Sequence, residues 1–235
     1  MYSFDSRIRY SEIGRDGVLR IDGLINYFQD CSTFQSEDLG VGIEYLSAMD
    51  RCWIINSWQI KVHRYPKLGE EVKIFTWPNT LKGVFGTRNF KLTDRNGELL
   101  AVANSLWTFF DTQNLRPTKI PEKVLSRYEM EPAFEAEWEG RKIMLPQDMQ
   151  GAEAFYVQPV HLDTNNHVNN GQYISMAMAY LPEDFKVTGV RAEYKKAALL
   201  GDRIFPYIYN EENRVIVALA DENGLPYAVA EFKDV

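Results

Sequence analysis

The sequence predicts an α+β fold in which one unit, a long helix wrapped by an antiparallel β-sheet, occurs twice. Residues 94–103 read DRNGELLAVA and residues 221–230 read DENGLPYAVA. The shared Asn-Gly pair indicates a tight hairpin turn, because both residues accept a positive φ. Upstream of each copy, PKLGEEVKI at 66–74 matches ALLGDRIFP at 198–206, each with Leu-Gly-acid before a strand. Since order and chemistry are both preserved, we interpret the pattern as an internal duplication.

Each repeat is expected to begin with one apolar helix. The first is predicted over residues 21–40, where apolar side chains that include Phe28 recur at helical spacing and Asp22 is the expected N-cap. The second is predicted over residues 169–182, opened by an asparagine cap and closed by Pro182. Alternating segments typical of an antiparallel meander follow each helix. Only the helix can cover one face of such a sheet, so the layout is that of a tandem double hotdog.

Composition divides the chain into an N-terminal domain at 1–128, an acidic linker at 129–152 and a C-terminal domain at 153–235. The first carries 17 Lys and Arg against 15 Asp and Glu, the linker 2 against 6, and the last 7 against 12. The net charge of -7 argues against nucleic-acid binding. Because the first half is the part of the chain with an excess of cations, an acidic partner is expected to dock there.

Several features favour a cytoplasmic protein. No apolar run reaches the roughly 20 residues that cross a bilayer, so no membrane span is expected. The start, MYSFDSRIRYSEIG, lacks the basic-then-apolar layout of a signal peptide. Cys31 and Cys52 have no metal or redox spacing, and we interpret both as small buried hydrophobic residues.

The stretch HLDTNNHVNN, residues 161–170, places Asp163, Asn165 and His167 two apart. A polar turn capped by Asn169 or Asn170 would explain one or two asparagines, but it does not explain this triplet. The N–H groups at the start of the following helix, residues 169–171, are suited to a developing oxyanion. Together with a carboxylate and an imidazole, they are the parts needed to hydrolyse an ester or thioester.

The corresponding place in the first repeat reads EIGRDGVLRIDG and has no histidine, so only the second copy is expected to carry chemistry. A metal site is the alternative, since H-x-D-x-x-x-H contains three potential ligands. No other histidine or cysteine lies near in sequence to complete it, and neither a metal nor a cofactor is expected. His161 is expected to be structural at a strand end, and His63 to be a solvated strand residue.

The motif from Asp163 to Asn170 resembles the D-x-N-x-H-V-N-N signature of the fatty acyl-ACP thioesterases of plastids and bacteria. RYSEIGRDGVLRIDGLINYFQD, YPKLGEEVKIFTWP and RAEYKKAALLGD resemble other parts of that family, so the resemblance covers nearly the whole chain. It implies a thioesterase (a hydrolase of fatty acid biosynthesis) that releases free fatty acid and holo-ACP without a cofactor. It also implies a catalytic second domain and an acyl-chain pocket in the first.

Carried onto this chain, the resemblance makes Asp163, Asn165 and His167 catalytic. Substrate contacts are expected from the start of the second helix, from two aromatic residues of the acyl slot, and from two cations facing the acidic carrier protein: Asn169, Asn170, Gly171, Phe28, Trp58, Lys195 and Lys196. Both lysines are placed on the strand after the motif. A homodimer is a further expectation.

One departure from the family concerns the strand after the motif. Plastid members place a glutamate-cysteine pair after L-E-Y-R-R, where this chain has Ala197 and Ala198. Glu193 would lie roughly 13 Å from position 197 along a regular strand and cannot replace that glutamate. Two alternatives therefore stay open, an acyl-CoA thioesterase and a non-catalytic acyl-ACP binding module.

Overall fold

The computed structural model describes residues 1–163 and 165–234 and divides into two compact units. Unit 1 comprises Met1–Asn56 and Ile60–Glu137, and unit 2 comprises Ser57–Gln59 and Trp138–Val235. The boundary after Glu137 falls inside the segment predicted as the linker. Thr164 of the motif and Val235 of the predicted C-terminal domain lie outside the described residues.

Unit 1 is an antiparallel sheet with one long helix and two short ones. Its elements are β1 (Tyr2–Arg7), α1 (Ile21–Asp38), α2 (Ile43–Ser47), β2 (Arg51–Val62), β3 (Glu71–Lys82), β4 (Phe85–Asp94), β5 (Leu99–Asp111), β6 (Arg116–Pro117) and α3 (Glu122–Leu125). The strand order is β1-β3-β4-β5-β2, and β6 pairs with the end of β5.

Helix α1 covers the sheet of unit 1 with a largely apolar face that also buries Ser32 and Gln35. Phe28 is completely buried, and its ring centroid lies 5.2 Å from that of Phe90 on β4. The helix begins after Arg20, so the prediction that Asp22 caps it is wrong. Asp22 lies in the first turn, where its carboxylate pairs with the Arg20 guanidinium at 3.1 Å and complements the helix dipole.

Unit 2 repeats this plan with a shorter helix. Its elements are β7 (Gln150–Gly151), β8 (Phe155–Tyr156), α4 (Asn170–Met178), β9 (Gly189–Tyr194), β10 (Arg203–Glu211), β11 (Arg214–Ala220) and β12 (Pro226–Lys233). The strand order is β9-β12-β11-β10-β7, with β8 pairing to the start of β10. Among the described residues, no helix combines the length and apolarity needed to span a bilayer.

The strand that follows the long helix occupies the same place in both units. β2 pairs with β5, and β9 pairs with β12, so this strand joins the last strand of its unit. A simple meander, in which it would join the next strand, is therefore a wrong prediction. After β2, and likewise after β9, the chain crosses the sheet before the next strand starts. β2 therefore pairs with β5 and β9 with β12, and neither pairs with the next strand along the chain.

The duplicated hairpin turns have the same hydrogen bonds. Asp94 Oδ1 accepts the N–H groups of the residues two and four positions later, both at 2.8 Å. Asp221 Oδ1 accepts the equivalent pair at 2.9 and 2.8 Å. Gly97 and Gly224 have φ of 86° and 75°, which a residue with a Cβ adopts only at a cost. The turns predicted from D-x-N-G are confirmed.

The segment predicted as an acidic linker is fastened to each unit at its own end. In unit 1, Trp77 Nε1 donates to Pro132 O at 2.8 Å. In unit 2, Arg191 donates to the Glu139 carboxylate at 2.6 Å and to Gly140 O at 2.7 Å. Bonds of this kind fix an irregular segment that sequence periodicity does not reveal.

Candidate active site

The motif folds into a tight antiparallel loop directly before α4. Leu162 and Val168 form a β-bridge, and Asp163 N–H donates to His167 O at 2.8 Å. Asn166 turns the chain with φ 59°, a conformation that asparagine tolerates better than most residues. The three predicted residues of the triplet therefore share one short loop.

The Asp163 carboxylate organises the backbone of this loop. Its Oδ1 accepts the N–H of Asn165 at 2.8 Å and that of His167 at 3.3 Å, as in an Asx turn. Its Oδ2 accepts no hydrogen bond from any residue in 1–163 or 165–234. One oxygen thus holds the loop, and the other is available to water or substrate.

The imidazole of His167 is exposed, and the backbone of this residue forms a β-bridge with Leu199. Within the described part of the chain, the ring makes no hydrogen bond. Asp163 therefore does not orient the imidazole in this structure; it acts on the backbone N–H of His167 instead. Asn165 is exposed as well, so its amide side chain can reach a ligand.

The start of α4 is capped as the sequence predicted. Asn169 is the N-cap, and its Oδ1 accepts the Gly171 N–H at 2.8 Å. The Asn169 N–H donates to His161 O at 2.9 Å, while Asn170 O accepts the Tyr194 hydroxyl at 3.0 Å. The amides of Asn169 and Gly171, both predicted as oxyanion donors, are thus engaged within the protein. An oxyanion role would require exchange of these bonds and stays a prediction.

Tyr173 holds Ala198, which contacts the loop, in place. Its buried hydroxyl accepts the Ala198 N–H at 2.8 Å, and Val168 N–H donates to Ala198 O at 3.0 Å. Burial raises the pKa of the Tyr173 phenol, so it remains neutral at physiological pH. Sequence reasoning missed this residue. The available signal was its position four residues after the cap Asn169, on the same helix face.

The segment after β9 differs from the prediction. β9 ends at Tyr194, so Lys195, Lys196 and Ala197 do not lie on a strand. Lys195 N–H and Lys196 N–H both donate to Tyr227 O, at 2.8 and 3.3 Å, which interrupts the ladder and turns the chain toward the loop. Ala197 is exposed there, next to the Ala198 that contacts the loop.

Both lysines predicted to contact a carrier protein already pair with carboxylates. Lys195 Nζ lies 2.5 Å from Glu193, and Lys196 Nζ pairs with Asp221 while lying 4.4 Å from the ring centroid of Tyr227. Glu193 is buried and also accepts the Ile143 N–H at 2.9 Å. Its carboxylate is thus committed to structure.

The first repeat contains the same loop without the aspartate and the histidine at the corresponding positions. Ile13 bridges Leu19, and Gly14 N–H donates to Val18 O at 2.9 Å, as Asp163 does to His167. Gly17 supplies the positive φ, here 77°. Gly14 and Val18 therefore occupy the positions of the aspartate and the histidine. The backbone is duplicated, whereas the reactive side chains occur in the second copy.

The remaining predicted residues lie at these places. Phe28 and Trp58 are both completely buried, and Trp58 belongs to the part of β2 that groups with unit 2. His161 ends a short 3-10 turn at 159–161, not a strand, and its Nδ1 accepts the Gln158 N–H at 3.0 Å. His63 directly follows β2 and is exposed. The described residues contain no group of three or more metal-type ligands.

Comparison with known proteins gives the same picture for both halves. The profile of the acyl-ACP thioesterase N-terminal domain matches residues 1–128, and that of the acyl-ACP thioesterase C-terminal domain matches residues 146–221. A chloroplastic acyl-[acyl-carrier-protein] hydrolase of Cuphea viscosissima is 28% identical over 207 residues, which cover 80% of this chain and 50% of that protein. The chain spans about half the length of the curated relatives it matches.

Two solved structures share the fold. An acyl-ACP thioesterase from Bacteroides thetaiotaomicron superposes with a TM-score of 0.88 at 19% identity, covering 98% of this chain and 96% of that chain. The 12:0-ACP thioesterase of Umbellularia californica gives 0.85 at 20% identity, with 98% and 96% covered. The predicted α+β double hotdog is confirmed. Because the two profiles match successive parts of the sequence in order, the chain belongs to the acyl-ACP thioesterase family.

Proposed function

We propose that the protein hydrolyses the thioester of fatty acyl-ACP and releases free fatty acid and holo-ACP. The observation that supports this most is the loop at 161–169, which presents Asp163, Asn165 and His167 before a capped helix in a chain of this family. The equivalent loop of unit 1 has Gly14 and Val18 in place of the aspartate and the histidine, so we assign the reaction to unit 2.

His167 is the proposed acid and base. Its exposed imidazole can accept a proton from a water molecule as the water oxygen bonds to the carbonyl carbon. When the tetrahedral intermediate collapses, the carbon–sulfur bond breaks, and the same proton passes to the leaving phosphopantetheine thiol. The ring returns to its neutral form, and the products are a fatty acid and a free thiol.

Asp163 has two proposed tasks, one for each carboxylate oxygen. Oδ1 keeps the backbone amides of Asn165 and His167 in place. Oδ2 orients the attacking water, and the negative charge stabilises the imidazolium that forms on His167. The Asn165 amide positions the thioester carbonyl.

Ala197 cannot activate water, so Asp163 and His167 are the proposed activating groups. It stands where the plastid enzymes are expected to have a glutamate, and its methyl group can neither orient nor deprotonate water. The nearest carboxylate along the chain, Glu193, pairs with Lys195. We therefore propose a mechanism with one carboxylate and one imidazole.

The proposed partner is an acyl carrier protein, which is acidic. Lys195 and Lys196 are the proposed docking cations, and binding would exchange their present carboxylate partners for those of the carrier. The double charge reversal Lys195→Glu/Lys196→Glu should raise KM for acyl-ACP and weaken its dependence on salt. An unchanged KM at every salt concentration would rule out this docking site.

The cellular compartment and the oligomeric state are also proposed. The free thiols of Cys31 and Cys52 fit a reducing compartment, which supports a cytoplasmic site of action. Phe28 and Trp58 are proposed to contribute apolar surface for the acyl chain, in addition to their role in the core. A homodimer remains a prediction, and light scattering of the purified protein measures it directly.

A thiol-release assay on purified protein tests the proposal. The parent should release thiol from acyl-ACP faster than from acyl-CoA, and His167→Ala should abolish this release. His63→Ala, which changes an exposed histidine outside the loop, is the matched control and should retain parental turnover. Preferential turnover of acyl-CoA would indicate an acyl-CoA thioesterase. Tight binding of acyl-ACP without thiol release would indicate a binding module.

A further inference from the structure

Arg88 is a buried arginine on β4 of unit 1, on the sheet face covered by α1. Its side chain is 8% exposed. Nη1 donates to Gln35 Oε1 on α1 at 2.5 Å and to Thr76 Oγ1 on β3 at 3.2 Å. The guanidinium carbon lies 5.5 Å from the centroid of the Tyr128 ring. In the described part of the chain, no carboxylate pairs with this cation.

Arg191, whose side chain is 13% exposed, shows the usual arrangement of such a cation. Arg191 Nη1 donates to the carboxylates of Glu139 and Glu231 at 2.6 and 2.8 Å. A buried cation without such a counter-ion is unfavourable, because its lost hydration is not replaced. Burial accordingly lowers the pKa of Arg88. The Arg88 guanidinium is therefore without a counter-ion among the described residues.

Three donors of this site make no hydrogen bond to a described residue. Arg88 Nε and Nη2 and Gln35 Nε2 donate to no residue in 1–163 or 165–234. None of these atoms belongs to the fully buried polar atoms that lack a partner. Each of these atoms therefore keeps some exposed surface. All three are donors, and the two arginine nitrogens form the planar fork that matches both oxygens of a carboxylate.

The side chains next to this donor group are apolar. The Tyr128 ring packs in a cluster with Phe109 and Val124, and Trp53 and Leu81 pack against it. Gly86 lies two residues before Arg88 on the same strand face. A Cβ there would come within 2.7 Å of Leu81 and 3.3 Å of Trp53. Hydrocarbon surface thus lies beside the guanidinium.

We propose that unit 1 contains a carboxylate-binding site, formed by Arg88 and Gln35, for an amphipathic acid whose hydrocarbon chain lies along the Tyr128 cluster. A free fatty acid and an acyl chain that ends in a carboxylate present the same chemistry to it. The site lies outside the catalytic loop, and its ligand is held by ionic and hydrogen bonds without any covalent step. The inference goes beyond the proposed hydrolysis and does not depend on it.

Calorimetric titration of the full chain with three ligands below their micellar concentrations tests the site. Dodecanoate should bind the parent about tenfold or more tightly than dodecanol, because only the carboxylate accepts charge-assisted bonds from the fork. Arg88→Met keeps an unbranched apolar side chain and should remove this preference. Arg203→Met is the matched control. Arg203 stacks on Phe205 at 4.9 Å and forms no ion pair with a described residue, so its loss should change nothing.

Two further variants keep the result interpretable. Gln35→Leu removes one donor and no charge, and it should weaken dodecanoate binding severalfold even if Arg88→Met does not fold. His167→Ala should retain the full preference, which separates this site from the catalytic loop. Equal binding of dodecanoate and dodecanol to the parent would overturn the proposal. So would a preference that survives both Arg88→Met and Gln35→Leu.

The monomethyl ester of dodecanedioate distinguishes the two sources of the carboxylate. Tighter binding of this ester than of dodecanoate, lost in Arg88→Met, assigns the site to acyl chains that end in a carboxylate. Tighter binding of dodecanoate assigns it to free fatty acids. No thioester is turned over in these titrations, so a failure of the proposed hydrolysis would leave their outcome unchanged.

Discussion

Replacement of Asp163 by asparagine separates the two tasks proposed for this side chain. Asparagine retains an oxygen that can accept the N–H groups of Asn165 and His167, now held at 2.8 and 3.3 Å. It removes the negative charge that would orient water and stabilise an imidazolium. The loop should therefore persist, while the chemistry should fail.

The structure sets the size of the stability effect. A hydrogen bond to a carboxylate is worth about 1 kcal/mol more than one to a neutral amide. One of the two bonds here is long, and the carboxylate is half-buried, so the combined loss should be about 1 kcal/mol. For a chain of this size, that lowers Tm by about 2–4 °C. Turnover should fall far more, by about 10²–10⁴-fold, as expected for removal of an acid–base group.

Calorimetry and thiol release from acyl-ACP measure the two effects on the same preparation. Asp16→Asn makes the same chemical change in the corresponding loop of unit 1, where Asp16 Oδ1 accepts the Val18 N–H at 3.2 Å. This control should keep parental turnover. If folded Asp163→Asn hydrolyses acyl-ACP at the parental rate, the charge of Asp163 has no part in the reaction.

Three further predictions concern the framework of unit 2. Tyr173→Phe leaves the buried Ala198 N–H without its acceptor and should lower the unfolding free energy, measured in urea, by about 1–3 kcal/mol. An unchanged unfolding free energy would contradict the role of Tyr173 in holding Ala198. Glu231 is 1% exposed and pairs with Arg191 and Arg214, so Glu231→Ala should lower the unfolding free energy by about 3 kcal/mol. A loss below about 1 kcal/mol would mean that these ion pairs behave as surface pairs. The hydrogen bond from Lys196, with backbone N–H bonds, lowers the pKa of Asp221. The resulting stability is present above the unfolded aspartate value, about pH 4, and is lost as pH falls through the lower folded value. Thermal unfolding of Asp221→Asn should therefore show a shallower acid-induced fall in Tm than the parent, and identical slopes would refute the assignment.

Local chemistry made part of this structure predictable. The D-x-N-G turns depend on residues within four positions, and the cap of α4 depends on Asn169 alone, so sequence was sufficient for both. The triplet of Asp163, Asn165 and His167 was found because its members lie within five consecutive positions. The duplication was visible because both copies kept, in the same order, the turns that require glycine.

Long-range contacts were not predictable in the same way. The end of β9 is set by Tyr227 O, which takes the N–H groups of both Lys195 and Lys196, and no local signal marks that acceptor. Tyr173 contributes to the site only through Ala198, 25 residues away. Arg88 stands in a polar-looking stretch of β4, where a charged residue normally faces water. Its burial depends on how α1 and β3 pack around it.

The most direct test of the central claim follows acyl-ACP by mass spectrometry in water enriched in oxygen-18. With the parent, holo-ACP should form and the released fatty acid should carry the heavy oxygen in its carboxylate, because water attacks the carbonyl carbon. His167→Ala should leave acyl-ACP intact, while Asp16→Asn should behave as the parent. Acyl-ACP that stays intact with the parent, or labelled acid formed equally fast by His167→Ala, would contradict hydrolysis by the loop of unit 2.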